Sequence, residues 1–482
     1  MQTLGINAPL TDYLADGDIT TALELLYLTQ KGVPAHLINV TTHEGIVMLT
    51  GITDNLLARE RAEDIALALR GVRGVVNEVL ISTPAVPDAE LQASVTSALA
   101  TDPATSFYGV HVAAAEGVVT LTGTVQTWAE KELVLRVGRG VRGVRRLVAD
   151  QLTISWDNLQ NSDHEITSQI RESLAWDIRV NAALVDVRTH DRTVYLSGTV
   201  GTATELAQVE TTAYQAGATH VDIRDLNVQY WATNRDLRGD KYAPRPDEAI
   251  AEAVRAAFRC DPRVLAYQPL IMVHNGIVTL SGTVSNLLAK QHAERDARHV
   301  VGVADVLNLL KVRTSWFIPD LYIGHTIRAA LARDPYVGQD EFSVYVRNGK
   351  AQLYGQVSSY FEQDQAGRVA AGVKGVTEVD NWVTIPGSLH FDAYQTYSWK
   401  PGLARPNPDF ALAERIRSRL FWSPSLHRQA IEVAVKKGRA TLTGTVESWF
   451  DRDQAGGAAY AAGAWDVRND LVVDLDAGEL YE

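Results

Sequence analysis

One short stretch, Asn275-Gly-Ile-Val-Thr-Leu-Ser-Gly-Thr-Val284, constrains this chain more than any other, because it recurs six times. Glu44-Gly-Ile-Val-Met-Leu-Thr-Gly51, Glu116-Gly-Val-Val-Thr-Leu-Thr-Gly123, Asn348-Gly-Lys-Ala-Gln-Leu-Tyr-Gly355 and Lys437-Gly-Arg-Ala-Thr-Leu-Thr-Gly444 share its pattern. Asp191-Arg-Thr-Val-Tyr-Leu-Ser-Gly198 shares it with Arg192 in place of the first glycine. Each copy reads as a tight turn followed by a strand whose side chains alternate between two faces. The first glycines (Gly45, Gly117, Gly276, Gly349, Gly438) suit the turn. The second ones (Gly51, Gly123, Gly198, Gly282, Gly355, Gly444) suit a bend or a close backbone approach. Successive second glycines lie 72, 75, 84, 73 and 89 residues apart. That period is too long for a short solenoid unit and right for a small domain, so the chain is a tandem of six.

Around each hairpin the same elements return. In unit one, a helix from Asp18, taken as its N-cap, precedes a strand at 37–42 and the hairpin; an amphipathic helix at about 55–69 and a strand at 75–81 follow. The order is helix, strand, strand, helix, strand in every unit, which gives boundaries 1–83, 84–155, 156–232, 233–315, 316–385 and 386–482. Asp102-Pro103, Asp261-Pro262 and Asp334-Pro335 stop the first helix of their units. Val-x-Gly-Val announces the last strand at 72–75, 141–144, 300–303 and 373–376; units three and six read as lacking that glycine.

Six such assemblies in register resemble the BON domain family, an αββαβ module with a Gly-x-Val-x-Leu-x-Gly hairpin and a Val-x-Gly-Val entry to its last strand. The resemblance implies an α+β fold: small three-stranded mixed sheets, each with two helices packed on one face. It also implies association with the bacterial envelope, phospholipid binding or osmotic and general stress, with a potassium link in a cytoplasmic member type. Here the copy number is unusually high and no secretion signal is read at the N-terminus.

The connectors carry aromatic residues. Trp156, Trp231 and Trp316 follow the second glycines of their units by 33, 33 and 34 residues, a spacing expected of side chains packed between consecutive units. Residues 234–246 have the composition of a linker. Residues 386–408 hold Phe391, Tyr394, Tyr397 and Trp399 among prolines, too aromatic for a flexible linker and expected to dock on a neighbouring unit or another chain. The acidic tail from Asp466 reads as a solvated edge.

Charge and composition narrow the functional classes. A net charge of −13 argues against nucleic-acid binding. One cysteine, Cys260, permits no internal disulfide. No apolar run is long enough to span a membrane, and the N-terminus lacks secretory features, so a cytoplasmic location is expected, or the envelope if a precursor segment is missing. Gly138-Arg-Gly-Val-Arg-Gly143 matches a dinucleotide fingerprint letter for letter, but a helix precedes it and a strand follows, which reverses the geometry that motif needs. No metal-ligand, nucleophile-elbow or thiolate motif emerges, so no catalytic residue, cofactor or metal is assigned.

The strongest charged surface lies in unit two: Lys131, Arg136, Arg139, Arg142, Arg145 and Arg146. These side chains either pair with acidic neighbouring units or meet anionic lipid headgroups. The sequence as a whole points to a non-enzymatic scaffold of six domains in an extended or curved array, binding chiefly to itself and able to form a filament or tube. Peripheral binding to anionic phospholipid is the alternative, and potassium or another small ion the second.

Overall fold

The computed structural model of the chain describes residues 14–29, 32–155, 161–234, 237, 241, 245–338, 340–385 and 408–473. All six units fold in the expected order. Their first helices are Asp16–Thr29, Asp88–Thr101, Asp163–Trp176, Asp247–Arg259, Asp320–Arg333 and Pro408–Trp422. Their second helices are Leu56–Leu67, Trp128–Arg139, Ala203–Gln215, Leu287–Arg298, Tyr360–Gly372 and Trp449–Ala461. Asn55, Thr127, Thr202, Asn286, Ser359 and Ser448 start the second helices, each accepting the backbone N–H three residues on and so satisfying one orphan donor of the first turn.

Each sheet places the second hairpin strand at its centre. In unit one, Ile38–His43 pairs antiparallel with Ile46–Thr53, and Gly74–Asn77 runs parallel to the latter on its other side. In units one, four and six the third strand is broken into two short pieces beside Asn77, Asn308 and Asn469. Those amides donate to second-helix carbonyls, of Arg59 at 3.1 Å, Lys290 at 2.9 Å and Arg452 at 2.7 Å, tying sheet to helix.

The hairpin glycines answer two demands. Gly45, Gly117, Gly276, Gly349 and Gly438 turn at φ between +72° and +81°, and Arg192 accepts the same region at +59°. Of the second glycines, all but Gly355 lie at φ between +112° and +137°. A Cβ at Gly51, Gly198 or Gly444 would stand 2.0, 2.0 or 1.9 Å from a carbonyl oxygen of the first strand, a contact no side chain can make.

A contact between helix and hairpin was not foreseen. The aspartate at the start of each first helix accepts backbone N–H groups from the hairpin turn. Asp16 holds Glu44 and Gly45 at 2.8 and 2.9 Å, and Asp163, Asp247, Asp320 and Asp409 hold the equivalent pairs at 2.7–3.0 Å. Asp88 holds Glu116 alone, at 2.8 Å. The expected cap Asp18 is displaced by two residues, because the helix starts at Asp16, the residue that meets the turn.

Two register readings also need correction. In unit one the glycine equivalent to Gly143, Gly302 and Gly375, all at φ between +84° and +95°, is Gly71 at +89°, whereas Gly74 lies within a strand. Units three and six do have the glycine: Gly217 and Gly463 sit at φ +105°, three residues before the positions of His220 and Asp466 where the pattern looked for it.

Each unit owns a core of helix and sheet residues, such as Val254, Phe258, Val278, Leu280, Ala293 and Ala297 in unit four. The units do not form an extended or curved array. Their second helices meet start to end, and those of units one, two and three close a ring. Leu56 joins the core of unit two, Trp128 stacks on Tyr214 of unit three at 5.5 Å, and Thr204 donates to the Leu67 carbonyl of unit one at 3.1 Å. In the other half, Trp449 and Phe450 of unit six meet Ala304 and His299 of unit four, and Leu288 of unit four packs beside Gly372 of unit five.

Two further sets of contacts join the halves. Units one and six, two and five, and three and four pair through first-helix ends: the Arg70 N–H donates to Trp422 O at 2.9 Å, Arg142 to Arg333 O at 2.8 Å and Val301 to Trp176 O at 2.9 Å. Units one and five, two and four, and three and six meet through Arg61 over Phe361, Arg263 with Asp102, and Tyr230 with His427. A closed ring of three, a second trio joined through unit four, and two sets of cross-pairs give neighbours like those in a hexamer with D3 symmetry, made here from one chain.

Candidate functional site

The chemistry-bearing side chains concentrate at these junctions. Trp176 leaves its own unit to pack on the core of unit four, and Trp422 does the same on unit one. His299 stands edge-on to Phe450 at 5.7 Å, and burial pushes its imidazole down to about 3, with Arg179 adding to the effect. His427 touches Tyr230; burial, then Arg70 and Arg428, push it down to about 4. Both histidines are therefore neutral packing groups at neutral pH.

The densest polar cluster joins units two and four. Arg263 meets Asp102 at 3.0 Å, both side chains being largely buried, and its backbone N–H donates to Asp261 at 2.8 Å. His292 Nδ1 donates to Asp261 at 2.7 Å. Burial works against the Asp261 charge, but the His292 hydrogen bond and the backbone donor hold its carboxyl below the usual range. Burial and the neighbouring Asp261 push Asp296 up to about 8, so that Asp296 keeps a proton. Cys260 lies alongside, and burial pushes its thiol up to about 11, the opposite of what a nucleophile needs. A cleft lined by Asp102, Arg263, Tyr267, Asn286, Leu288 and Gly372 encloses only about 10 Å³, far below the usual size of a ligand pocket, roughly 300 Å³ and upward. Among the described residues, no group of three or more His, Cys, Asp and Glu is placed to hold a metal ion, and no helix is long and apolar enough to cross a membrane.

The basic group of unit two is divided among several contacts. Arg139 pairs with Glu60 of unit one at 3.1 Å, Arg142 reaches Gly338 O of unit five at 3.4 Å, and Arg145 donates to Thr83 O at 2.9 Å. Arg136 lies in the field of Arg263, Asp261 and Arg295 of unit four. Arg146 is exposed on the outer sheet face and Lys131 is half-buried. The six do not form one patch.

Trp316 is 60% exposed and carries Lys374 of unit five over its ring at 4.1 Å; Trp231 is half exposed in a short turn, Tyr230–Thr233. Trp156, Phe391, Tyr394, Tyr397 and Trp399 lie outside the described residues. Between units three and four, Lys241 Nζ donates to the Leu174 carbonyl at 3.3 Å, where a cation suits a helix end. The junction tryptophans, Trp128, Trp176, Trp422 and Trp449, were missed. Their signal was positional, since Trp128 and Trp449 open second helices and Trp176 and Trp422 close first helices.

With the helices turned inward, the sheets present their other faces outward. At equivalent central rungs these faces carry Thr41, Met48 and Val76 in unit one, Met272, Thr279 and Leu307 in unit four, and Arg188, Tyr195 and Asp222 in unit three. Units two and six show Thr and Ala there beside Val148 and Arg468, and unit five shows Tyr345, Gln352 and Asp380, with Tyr354 and Trp382 exposed on the next outward rung.

Fold and surface together define a chain of repeated αββαβ modules closed into one body. It belongs to the BON domain family, whose profile matches residues 15–83, 87–155, 162–230, 246–314, 320–387 and 408–474. Over 141 residues it is 33% identical to Osmotically-inducible protein Y of Escherichia coli (strain K12), spanning 28% of this chain and 70% of that protein. It is also 27% identical over 118 residues to the "Uncharacterized protein in gshII 5'region" of Anaplasma centrale, spanning 23% of this chain and 78% of that one. A solved structure of CdsD, a structural protein of the type III secretion system of Chlamydia trachomatis, aligns at 16% identity over 42% of this chain and 90% of its own, with a TM-score of 0.12; that likeness carries no argument about this molecule.

Proposed function

We propose that this protein is a non-enzymatic scaffold that associates with copies of itself, in a stress-related setting. One observation carries the reading: the helical faces of the six units are consumed inside the body, so what remains for partners is sheet. The outer faces of units one, four and five expose large apolar side chains. The stress-related setting draws on the name of the Escherichia coli relative.

Mass photometry and negative-stain imaging of the purified chain, from nanomolar to tens of micromolar, test this reading. Species larger than the 52.7 kDa monomer should appear and grow with concentration. A particle that stays monomeric throughout overturns it. Binding to anionic phospholipid is the reading the basic group of unit two would serve, and co-sedimentation with vesicles at low salt checks it. Contacts to Glu60, Gly338 and Thr83 already occupy Arg139, Arg142 and Arg145, so Arg146, exposed on the outer sheet face, is the probe chosen for that idea.

A further inference from the structure

We infer that copies of this chain join end to end, the outer sheet of unit one on one copy docking onto the outer sheet of unit four on the next. The inference rests on the self-association proposed above and names its surface.

Placement comes first. Unit one touches units two, three, five and six, through Glu60, Leu67, Arg61 and Arg70. Unit four touches the same four, through Arg263, Val301, Ser285 and Arg298. Two units of a six-unit body that share all four neighbours stand at opposite ends of it. Their helices face inward, so their sheets face away from each other along one axis.

Composition sets these two units apart as aliphatic, whereas the exposed large side chains of unit five are aromatic and adjoin a central rung that carries Gln352 and Asp380. Unit one exposes Ile46, Met48, Ile52, Val76 and Leu80, and unit four exposes Leu270, Met272, Ile277, Leu307 and Leu309. Leu80 is 69% exposed and Leu270 61%. The corresponding faces of units two, three and six are built mainly on threonine, serine, alanine and charged residues, with Tyr195 in unit three and Val148 in unit two, so the fold does not require a contiguous apolar face there. A contiguous apolar face on each of two opposite ends is what a repeating contact needs.

Charge decides which face meets which. At two equivalent positions of the third strand, unit one has Glu78 and Leu80 where unit four has Leu309 and Lys311. Docking like on like would bring glutamate toward glutamate or lysine toward lysine, whereas the unlike pairing sets an acid against a base. Asp305, the acid of the unit-four face, lies at the hairpin end, opposite Ile277 and away from Lys311. An unlike contact between opposite ends does not close on itself, so the product is a linear filament.

The test uses the full chain and two substitutions at exposed positions, Met48→Glu and Leu307→Glu. Both should keep the wild-type circular dichroism and melting temperature. Each alone should reduce growth beyond the monomer by at least tenfold in mass photometry. Mixed together they should give dimers that stop there, because each supplies the intact face the other lacks. Glu78→Lys should weaken assembly, and adding Lys311→Glu to the same chain should restore it. Wild-type filaments that survive both apolar substitutions would overturn this surface while leaving self-association standing. Loss with Met48→Glu but not with Leu307→Glu would replace it with a closed pairing of like faces. A wild-type chain that stays monomeric overturns both readings, and if it sediments with anionic vesicles in a Met48-dependent way the face belongs to lipid.

Discussion

The inner and outer surfaces of each unit begin from the same hairpin but follow different rules. Inside, side chains differ from unit to unit because each junction is distinct: Trp176 serves three and four, Trp128 two and three, and His427 three and six. Outside, all six units could carry one interchangeable polar face, yet units one and four expose aliphatic side chains and unit five aromatic ones. The difference separates two kinds of variation among copies. Variation on the helical side closes the body, and variation on the sheet side decides what the closed body meets.

Breaking the inner side should be the most damaging. Trp176→Ala removes a ring seated on a neighbouring core beside two backbone hydrogen bonds, Val301 N–H to Trp176 O at 2.9 Å and Ile178 N–H to His299 O at 3.0 Å. The expected cost is about 3 kcal/mol, toward the low end for a large aromatic because the ring is only partly buried. Urea unfolding should show it as a lower midpoint or as the loss of a single transition. A shift under ~0.5 kcal/mol would mean that units three and four merely touch.

The module was legible in the sequence and the body was not, for a physical reason. Hairpin glycines are forced by backbone geometry, so Gly51 and Gly444 announce themselves wherever they occur. The same spacing logic was available for the helix-start aspartates: Asp16, Asp88, Asp163, Asp247, Asp320 and Asp409 each lie 28 residues before the turn they hold. The junctions follow no period. Arg139 finds Glu60, and Arg263 finds Asp102, only after each unit has folded and turned its helices toward the others. The basic group of unit two therefore looked like one patch, although folding divides it among units one, four and five.

pH acts on the inner side through groups of opposite sign. His427, at about 4 in the folded chain, and His299, at about 3, both titrate near 6.5 when unfolded. The unfolded chain then binds more protons below 6.5, so their contribution is lost as pH falls from about 6.5 toward 4, by up to ~1.4 kcal/mol per pH unit and group. Asp296, at about 8 folded and about 3.9 unfolded, does the reverse: its penalty grows as pH rises from about 4 to 8. Melting curves across this range should show His427→Gln flattening the acid limb, with a gain of about 2 kcal/mol near pH 4.5. Asp296→Asn should raise stability at pH 8 and change little near pH 4. An Asp296→Asn chain that melts like wild type at pH 8 would show that the residue is ionised at no cost.

Within a unit, the clamp between helix and turn should matter less than a junction. Asp16→Ala leaves the N–H groups of Glu44 and Gly45 without their protein acceptor, but both can turn to water at the exposed turn. About 1 kcal/mol is expected, read in chemical denaturation, with Asp16→Asn losing less because one amide oxygen can still accept. A loss as large as that of Trp176→Ala would mean that the turn is set by the carboxylate and not by Gly45.

The smallest effects should come from the polar outer faces, and they sharpen the comparison most. Thr120 of unit two and Thr441 of unit six occupy central strands, half-buried, with side chains directed away from the helices. Thr120→Glu and Thr441→Glu should each change stability by no more than ~0.5 kcal/mol, since neither creates a cavity nor buries an unpaired charge. They should also leave the distribution of assembled species unchanged at the concentrations where Met48→Glu abolishes growth. The three substitutions introduce the same charge at comparable positions of the same module, so net charge and sheet propensity are held nearly constant among them. A loss of assembly confined to units one and four would then be due to the apolar faces themselves. An equal loss from Thr120→Glu would mean that the body associates through its overall charge, and the distinction between outer faces would have no functional content.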